Sequence, residues 1–588
     1  MPTIPTKPDV YPITNAHTHL FTGDHVPPWL ARTFVPWPFY LLFPTSGVVG
    51  LFRFWYRGPY RWRYKPWYRQ LTKRYYQTLM ALQRSRMLRV LYTVVGLGLA
   101  VQVFFIVAGW AGMLALANAD PRTTVAHVYR WLSAHHLLWQ PASFAVQCLV
   151  VLLLAVLFPS GRNLVWWLLT KTSALLGALP GPATVALAQR YLTIGRFAFY
   201  RSQAGILGRL RQQYPPQTRF IVLPMDMEYM GAGELRPGFR YREQMQELAA
   251  IKARPTCTAC VYPFVFADPR RLRAEGEAHF RYSAAGGRVV LEDCFIRRYI
   301  EGHRFSGFKI YPALGYYPFD ETLLPLWKYA ADHGLPVLTH CIRGTIFFRG
   351  SKEQAWDYHP VFEQARGAGA YEPLALLERH NREFSNNFTH PLNYLCLLDE
   401  RLLRRVVGQA QDARVRALFG YTSPHVPLQH NLAHLKLCFG HFGGDDEWDR
   451  FLELDRDNYA SRLVRFPARG IRFLTDAADG VGRGQLEQIW RGVDWYTIIC
   501  SLMLQYEHVY ADLSYILHND RIKPLLKQTL ANPELGAKVL FGTDFYVVRN
   551  HKSEKHLLAD MRHGLTEAEF DAIARVNPAR FLLNQLPA

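Results

Sequence analysis

Apolar residues along this chain fall into short, nearly continuous runs separated by longer stretches of mixed pattern. Eight such runs stand out: Val10–Ala16, Arg219–Met225, Val261–Ala267, Gly307–Tyr311, Leu335–Thr339, Leu435–Gly440, His508–Leu513 and Lys538–Phe541. A strand of a parallel sheet is covered on both faces, so it reads as a continuous apolar run and not as an alternation. Between several runs the spacing of apolar positions is that of amphipathic helices, at Tyr241–Lys252, Glu321–His333, Gln485–Gln505 and Arg521–Ala531. Eight strands with intervening helices predict an α/β fold, a (β/α)8 TIM-like barrel.

A different pattern interrupts this one after the first strand. Val90–Ala119 has no charged residue, and neither has Leu137–Phe158. A bilayer core of ~30 Å takes about 20 apolar residues, and a soluble core helix rarely runs that long without a charge. The two runs are expected to be transmembrane helices, 90–119 and 137–158. Thr33–Phe52 and Asn163–Ala188 are apolar as well, but prolines break both and Lys171 breaks the second; they read as interfacial or re-entrant segments, with a full span of either left open. The expected organisation is therefore a discontinuous barrel, 1–24 and 219–588, with an α-helical membrane insertion at 25–218. A second insertion, 343–434, would lie over the barrel mouth. Loops accept insertions because the scaffold holds both of their ends.

Charge sharpens the picture. Of 588 residues, 68 are Lys or Arg and 47 are Asp or Glu, a formal net charge of +21. Between His25 and Met225 there are 22 Lys/Arg and one acid, Asp120; the rest of the chain holds 46 of each sign and is neutral. Basic charge confined to the flanks of apolar runs speaks for membrane topology and against nucleic acid as partner. Eleven Lys/Arg lie between Arg53 and Arg89 and seven between Arg162 and Arg211, whereas the Asp120–His136 connection has only Arg122 and Arg130. The positive-inside rule places both basic flanks in the cytoplasm. The expectation is a multi-pass membrane protein with a cytoplasmic barrel and the lipid bilayer as partner. The aromatic and basic residues from Arg53 to Arg69 suit a headgroup-level belt. Interleaved rings and cations also suit single-stranded nucleic acid, the weaker reading beside two spanning runs. Met1–Asp9 lacks the apolar core of a signal peptide. The eight cysteines form no disulfide framework, and the lone Cys257-x-x-Cys260 reads as structural.

Candidate chemistry gathers at the strand ends. His17 and His19 close the first run. Side chains at i and i+2 of a strand share a face, so the two imidazoles can aim at one point. Lys309 ends the fourth run, His340 the fifth, His441 the sixth, and Asp544 follows the eighth. Active sites of this architecture gather at the C-terminal face. Ligand-capable residues on so many separate strands point to a metal site.

These motifs resemble the amidohydrolase superfamily, in particular its amidohydrolase-related branch, which includes decarboxylases of the aminocarboxymuconate-semialdehyde type. Asn15-Ala16-His17-Thr18-His19 resembles the opening metal motif. Gly307-Phe308-Lys309-Ile310-Tyr311-Pro312 and Leu335-Pro336-Val337-Leu338-Thr339-His340 resemble the central strands, and Leu437-Cys438-Phe439-Gly440-His441-Phe442-Gly443-Gly444 the sixth. Val509-Tyr510-Ala511-Asp512-Leu513-Ser514 and Leu540-Phe541-Gly542-Thr543-Asp544 resemble the seventh and eighth. The resemblance covers 10–24 and most of 219–585; the basic insertion and the long segment after His340 are foreign to it. It implies that His17, His19, His340 and Asp544 bind one divalent metal, with zinc the best match and manganese, cobalt or iron compatible. Such a metal would lower the pKa of a water toward ~7. Asp544 would shuttle a proton, and His441 would polarise a carbonyl or act as acid or base. Lys309 leaves a second arrangement open: in two-metal relatives a carboxylated lysine bridges the ions. With one metal, the preferred count, Lys309 would instead meet a substrate carboxylate or an internal partner.

The implied activity is hydrolysis of a small-molecule amide, cyclic amide, ester or lactone by a membrane-anchored enzyme, with an amphiphilic substrate favoured by the anchor. Non-oxidative decarboxylation on the same site is the alternative, and an inactive membrane-bound scaffold a third reading. Softer candidates are Asp226 and Glu228 after the second run, Arg343 for an anionic substrate, and His390. Asp268-Pro269-Arg270 reads as a turn and helix start.

Overall fold

A computed structural model of the chain describes residues 11–33, 37–112, 124–139, 141–157, 163, 200–344, 346–367, 369–453, 458–474, 483–545 and 552–582. The strands, in chain order, are β1 Thr14–Thr18, β2 Arg219–Val222, β3 Val261–Pro263, β4 Val265–Phe266, β5 Tyr282–Ala285, β6 Arg288–Leu291, β7 Phe308–Ile310, β8 Val337–Ile342, β9 Tyr358–Gly367, β10 Ala370–Ala375, β11 Leu437–Gly443, β12 Val509–Asp512 and β13 Val539–Leu540. Two antiparallel hairpins, β5–β6 and β9–β10, stand apart. The remaining strands form two wholly parallel sheets, β1-β2-β3 and β4-β7-β8-β11-β12-β13. The architecture is a mixed α/β fold with parallel sheets.

Each of the eight apolar runs carries a strand. The third carries two, because Phe264 interrupts it where the chain passes from one sheet to the other. There Phe264 N donates to Val222 O at 3.0 Å, and Val265 N to Gly307 O at 2.9 Å. At the opposite margins β1 meets the segment after β13: Ala16 N donates to Phe541 O at 2.8 Å, and Asp544 N to His17 O at 2.9 Å.

One cluster of buried residues takes Ala16, Ile221, Tyr262, Leu338, Cys438, Tyr510 and Leu540 from seven parallel strands. Side chains that converge from so many strands form an internal layer, with Phe581 and Leu582 packed among them. A larger cluster joins the outward strand faces to the helices.

The helices obey the local signals. Tyr241–Lys252 runs over the predicted range. The segment from Gln485 to Gln505 is two helices, Arg483–Gly492 and Trp495–Gln505, because Asp494 takes an extended conformation and caps the second by accepting from Thr497 N at 2.7 Å. Asp268 accepts from Arg270 N at 2.9 Å and starts the helix Pro269–Glu275.

The chain divides into two compact units, Met1–Arg53 with Ala183–Ala588, and Phe54–Pro182. The basic stretch 25–218 is shared between them. Val26, Leu30, Ile206, Leu207, Leu210 and Tyr214 belong to the larger core cluster of the first unit. In the second unit, helix Arg86–Trp110 is long and apolar enough to cross a bilayer by length and composition. Of the other apolar run, helix Phe144–Leu157 is described. Trp110 Nε1 on the first helix donates to Gln147 Oε1 on the second at 2.6 Å, and Trp139 N, in the segment before the second helix, donates to Gln102 Oε1 at 2.9 Å. Thr33–Phe52 is not one helix but a 3-10 turn, Phe39–Leu42, followed by the start of helix Thr45–Arg57. Asn163–Ala188 lies, Asn163 aside, outside the described residues.

Candidate metal centre

The C-terminal strand ends bring four histidines and two aspartates together. On β8 and β12 the alternation of faces puts His340 above Leu338 and Asp512 above Tyr510, so both point inward one layer beyond the apolar cluster. At the same level β11 has Gly440, and the segment after β13 has Gly542. A Cβ on Gly440 would lie 3.1 Å from His17 Cε1, and one on Gly542 2.9 Å from His17 Cβ. The two glycines make room for the His17 ring. Strain is stored around it: His441, Tyr515 and Asp544 have φ of 66°, 65° and 54°. Non-glycine residues rarely adopt the left-handed region unless the surroundings over-determine them.

The hydrogen bonds dictate which nitrogen each histidine presents. Asp512 is fully buried, and its Oδ2 lies 2.8 Å from His17 Nδ1. Its Oδ1 accepts from His441 N at 3.1 Å, from Ser514 N at 2.9 Å and from the Ser514 hydroxyl. A carboxylate only accepts, so His17 carries its proton on Nδ1 and has a lone pair on Nε2. His19 Nδ1 faces Leu223 O at 2.8 Å, so it too is protonated there. The Ser514 hydroxyl, its proton given to Asp512, accepts from His441 Nδ1 at 2.9 Å. His441 Nε2 is then bare and accepts from His340 Nδ1 at 3.0 Å. One carboxylate thereby sets the tautomers of three histidines.

The bare Nε2 atoms of His17 and His19 converge on Asp544. His19 Nε2 is 3.3 Å and His17 Nε2 3.9 Å from Asp544 Oδ1, and His17 Nε2 is buried with no hydrogen bond among the described residues. Two ligands each ~2.1 Å from one ion in tetrahedral array stand ~3.4 Å apart. His17, His19 and Asp544 therefore fit a divalent metal, and His17, His441 and Asp512 form a second group of close ligand atoms. The backing of each imidazole by a carboxylate or carbonyl is what metal-ligating histidines require.

Electrostatics agree with this donor set. Burial lowers the His17 pKa against the pull of Asp512, and burial, with the His17 ring beside it, pushes His441 down to about 3. Burial pushes Asp512 and Asp544 up, but the imidazoles and hydrogen bonds around them outweigh it and hold both well below the usual carboxylate range. Neutral imidazoles beside ionised carboxylates are the protonation states that a metal takes.

Lys309 pairs in register with Leu338 on β8, in the layer that also holds Cys438. Its amine is buried with no hydrogen bond among the described residues. Burial pushes it down to about 8, against Asp512 and Asp544. His340 stacks on Tyr311 at 3.7 Å and stands against His441, not within the His17–His19–Asp544 group. A cavity above these residues is lined by His19, His340, His441 and Asp544, with Phe21, Met225, Ile342 and Ile346 as apolar wall and Arg343 at the rim. Arg343 also reaches Glu447 Oε1 at 3.3 Å.

Apart from Arg343, the softer candidates go elsewhere. Asp226 is buried and holds Arg271, and Glu228 accepts from Tyr241 N at 2.7 Å. His390 is buried and stacks on Trp490 at 3.9 Å. Cys257 and Cys260 are free thiols. Sequence reasoning passed over Asp512 and Ser514. The signal was available, since Asp512 ends the seventh run two residues past an inward Tyr510, as His340 does past Leu338.

No family model and no curated protein matches the chain in sequence. Among solved structures, it is similar to an uncharacterised TIM-barrel protein of Bordetella bronchiseptica, with TM-score 0.31 and 10% identity, over 65% of this chain and 83% of that one. It is also similar to an amidohydrolase of Mycobacterium avium subsp. paratuberculosis, with TM-score 0.28 and 15% identity, over 65% of this chain and 75% of that one. At those scores the likeness carries no weight beside the geometry.

Proposed function

We propose that this chain is a membrane-anchored, metal-dependent hydrolase whose parallel strands make one closed (β/α)8 barrel. The observation that carries the reading is the convergence of two tautomer-fixed imidazole nitrogens, on His17 and His19, upon the ionised Asp544. His340, its Nδ1 given to His441, has Nε2 as the lone-pair nitrogen for a fourth ligand position. When bound, a divalent ion such as zinc supplies Lewis acidity and an activated water.

The chain's own residues do the rest. Asp512 and Leu223 O hold the two imidazoles in orientation. Asp544 takes a proton from the water and returns it to the leaving group. His441, its Nδ1 held by Ser514, presents a bare Nε2 toward the site as the proton acceptor of an acid–base pair with His340. The apolar wall of Phe21, Met225, Ile342 and Ile346, with Arg343 at the rim, suits an amphiphilic amide, ester or lactone with an anionic group. The charge asymmetry of the insertion supports a cytoplasmic barrel on a bilayer, through helix Arg86–Trp110 and the run beyond it.

The test is bound metal per chain, by elemental analysis of the detergent-purified protein beside Asp544→Asn and Lys309→Ala. The reading expects about one zinc, lost with Asp544→Asn and kept with Lys309→Ala. Two ions that fall together with Lys309→Ala would move the site to the carboxylated-lysine arrangement. No metal after reconstitution would refute the catalytic reading, and carbon dioxide released from a carboxylate substrate would assign a lyase instead.

A further inference from the structure

The segment that leaves the C-terminal end of β1 ends in an apolar lip. His19 and Phe21 at its start line the cavity. Beyond them the segment is tied to the loops that follow β2 and β8. Trp29 N donates to Ala232 O at 2.9 Å, Arg32 Nη1 to Gly231 O at 3.0 Å, and Arg349 Nη1 to Thr33 Oγ1 at 3.1 Å. The chain is pinned again where Thr45 N donates to Pro28 O at 2.9 Å. The loops it is tied to also supply Met225 and Ile346 to the cavity wall. The stretch between the two pins, described from residue 37, therefore projects from a base that is held by the loops of the cavity wall.

That projection is apolar and open. Trp37 is 76% exposed and Leu42 71%, with Leu41 and Phe43 exposed beside them. Helix Thr45–Arg57 follows, and its burial is inverted. Thr45 and Val49 face inward, while Leu51, Phe54 and Trp55, at i, i+3 and i+4, form an outward apolar stripe. A monomer in water does not gather Trp, Leu and Phe on one exposed surface without a use for it.

The charge around the lip says what covers it. From His25 to Ala119 the chain has no acid; Arg53 pairs with Asp24 Oδ1 at 3.1 Å, and Arg57, Arg61, Arg63, Lys65 and Arg69 follow the lip in sequence. A run of rings and leucines followed in sequence by a row of cations matches the composition of a segment at the headgroup layer of an anionic bilayer. The same chain then enters helix Arg86–Trp110, which has the length and composition to span that bilayer.

We propose that the Trp37–Leu51 lip is a membrane-seating surface: it inserts into the headgroup layer of an anionic bilayer and turns the mouth of the metal centre toward the lipid. The inference rests on the membrane-anchored reading above and adds which surface of the barrel unit the bilayer covers.

The test uses the full chain in nanodiscs of phosphatidylcholine and phosphatidylglycerol, on a Cys148→Ser background that leaves only the buried native thiols. An environment-sensitive fluorophore is placed at Leu42→Cys on the lip, at Leu97→Cys in the apolar helix, and at Glu534→Cys. Glu534 is exposed in the turn before β13, at the opposite end of the strands. Quenching by lipids with a nitroxide at shallow or deep positions reads depth. At position 42 shallow lipid nitroxide should remove most of the emission and deep nitroxide less, as fits insertion of ~5–10 Å. Position 534 should keep its emission, and position 97 should respond most to deep nitroxide. Overturning results are distinct. Emission at 42 as unquenched as at 534, with 97 quenched, overturns the lip and leaves the anchor. Emission unquenched at both 42 and 97 overturns the anchored reading with it. A label at 42 shielded from aqueous iodide but untouched by lipid nitroxide means that protein covers the lip, which also overturns the proposal.

Discussion

Asp512→Asn separates the metal reading from a merely structural one. The substitution keeps shape and replaces one carboxylate oxygen by an NH2. Asp512 Oδ1 accepts from His441 N, Ser514 N and the Ser514 hydroxyl, whereas among the described residues Oδ2 bonds only His17 Nδ1, at 2.8 Å. Turning the NH2 toward the first side would set it against two fixed backbone donors, each costing ~1–3 kcal/mol when left buried and unpaired. The amide oxygen therefore stays there, and the NH2 faces His17. His17 can accept from it only by moving its proton from Nδ1 to Nε2. That shift costs the fold little, but it puts a proton on the nitrogen that should bind the metal. The expected result is a zinc affinity ~10–100-fold weaker, or about 1.4–2.7 kcal/mol, with the melting temperature of metal-free protein nearly unchanged. Competition against a chromophoric chelator measures the first and a thermal melt with excess chelator the second. Affinity within about twofold of the parent would refute the tautomer argument. So would a metal-free melting temperature that falls as steeply as the affinity, because the residue would then be holding the fold.

Two further outcomes follow from buried groups outside the candidate metal ligands. Burial pushes Asp494 up to about 6 although it caps a helix. Its folded pKa lies above the unfolded ~3.9, so its contribution is fully present below pH ~3.9 and lost as pH rises toward 6. Asp494→Asn keeps an accepting cap, and its melting temperature should rise relative to the parent between pH 4 and 7; a difference that stays flat would exclude the buried charge as the cause. The Tyr214 hydroxyl accepts from Asn15 Nδ2 at 2.9 Å and donates to Glu554 Oε2 at 2.6 Å, beside the Thr543 that precedes Asp544. Tyr214→Phe should cost ~1–3 kcal/mol of stability, read by thermal denaturation, and an unchanged melt would show that the two partners satisfy each other without it.

The sequence alone determined which segments become strands, because burial on both faces leaves a continuous apolar run that depends on no distant partner. It also determined which residues stand at the C-terminal strand ends: His17, His19, His340, His441 and Asp544 were readable from where the apolar runs stop, and Asp512 could have been, whereas alternation alone turns Gly440 inward and His441 enters the site only with its φ of 66°. The stop at Asp494 and the start at Asp268 were local as well, because a side chain reaching the next turn's N–H needs no tertiary help. What only the tertiary structure decided is pairing. Whether His340 faces the ion group or His441, whether Asp226 lines the mouth or neutralises Arg271, and which nitrogen of His17 is bare all depend on residues up to 495 positions away in sequence. The break of the third run at Phe264 and the glycine-made space around His17 are of the same kind. A hydrogen bond has direction and a packed interior has no slack, so the role of a buried polar group is set by the one partner that geometry places against it.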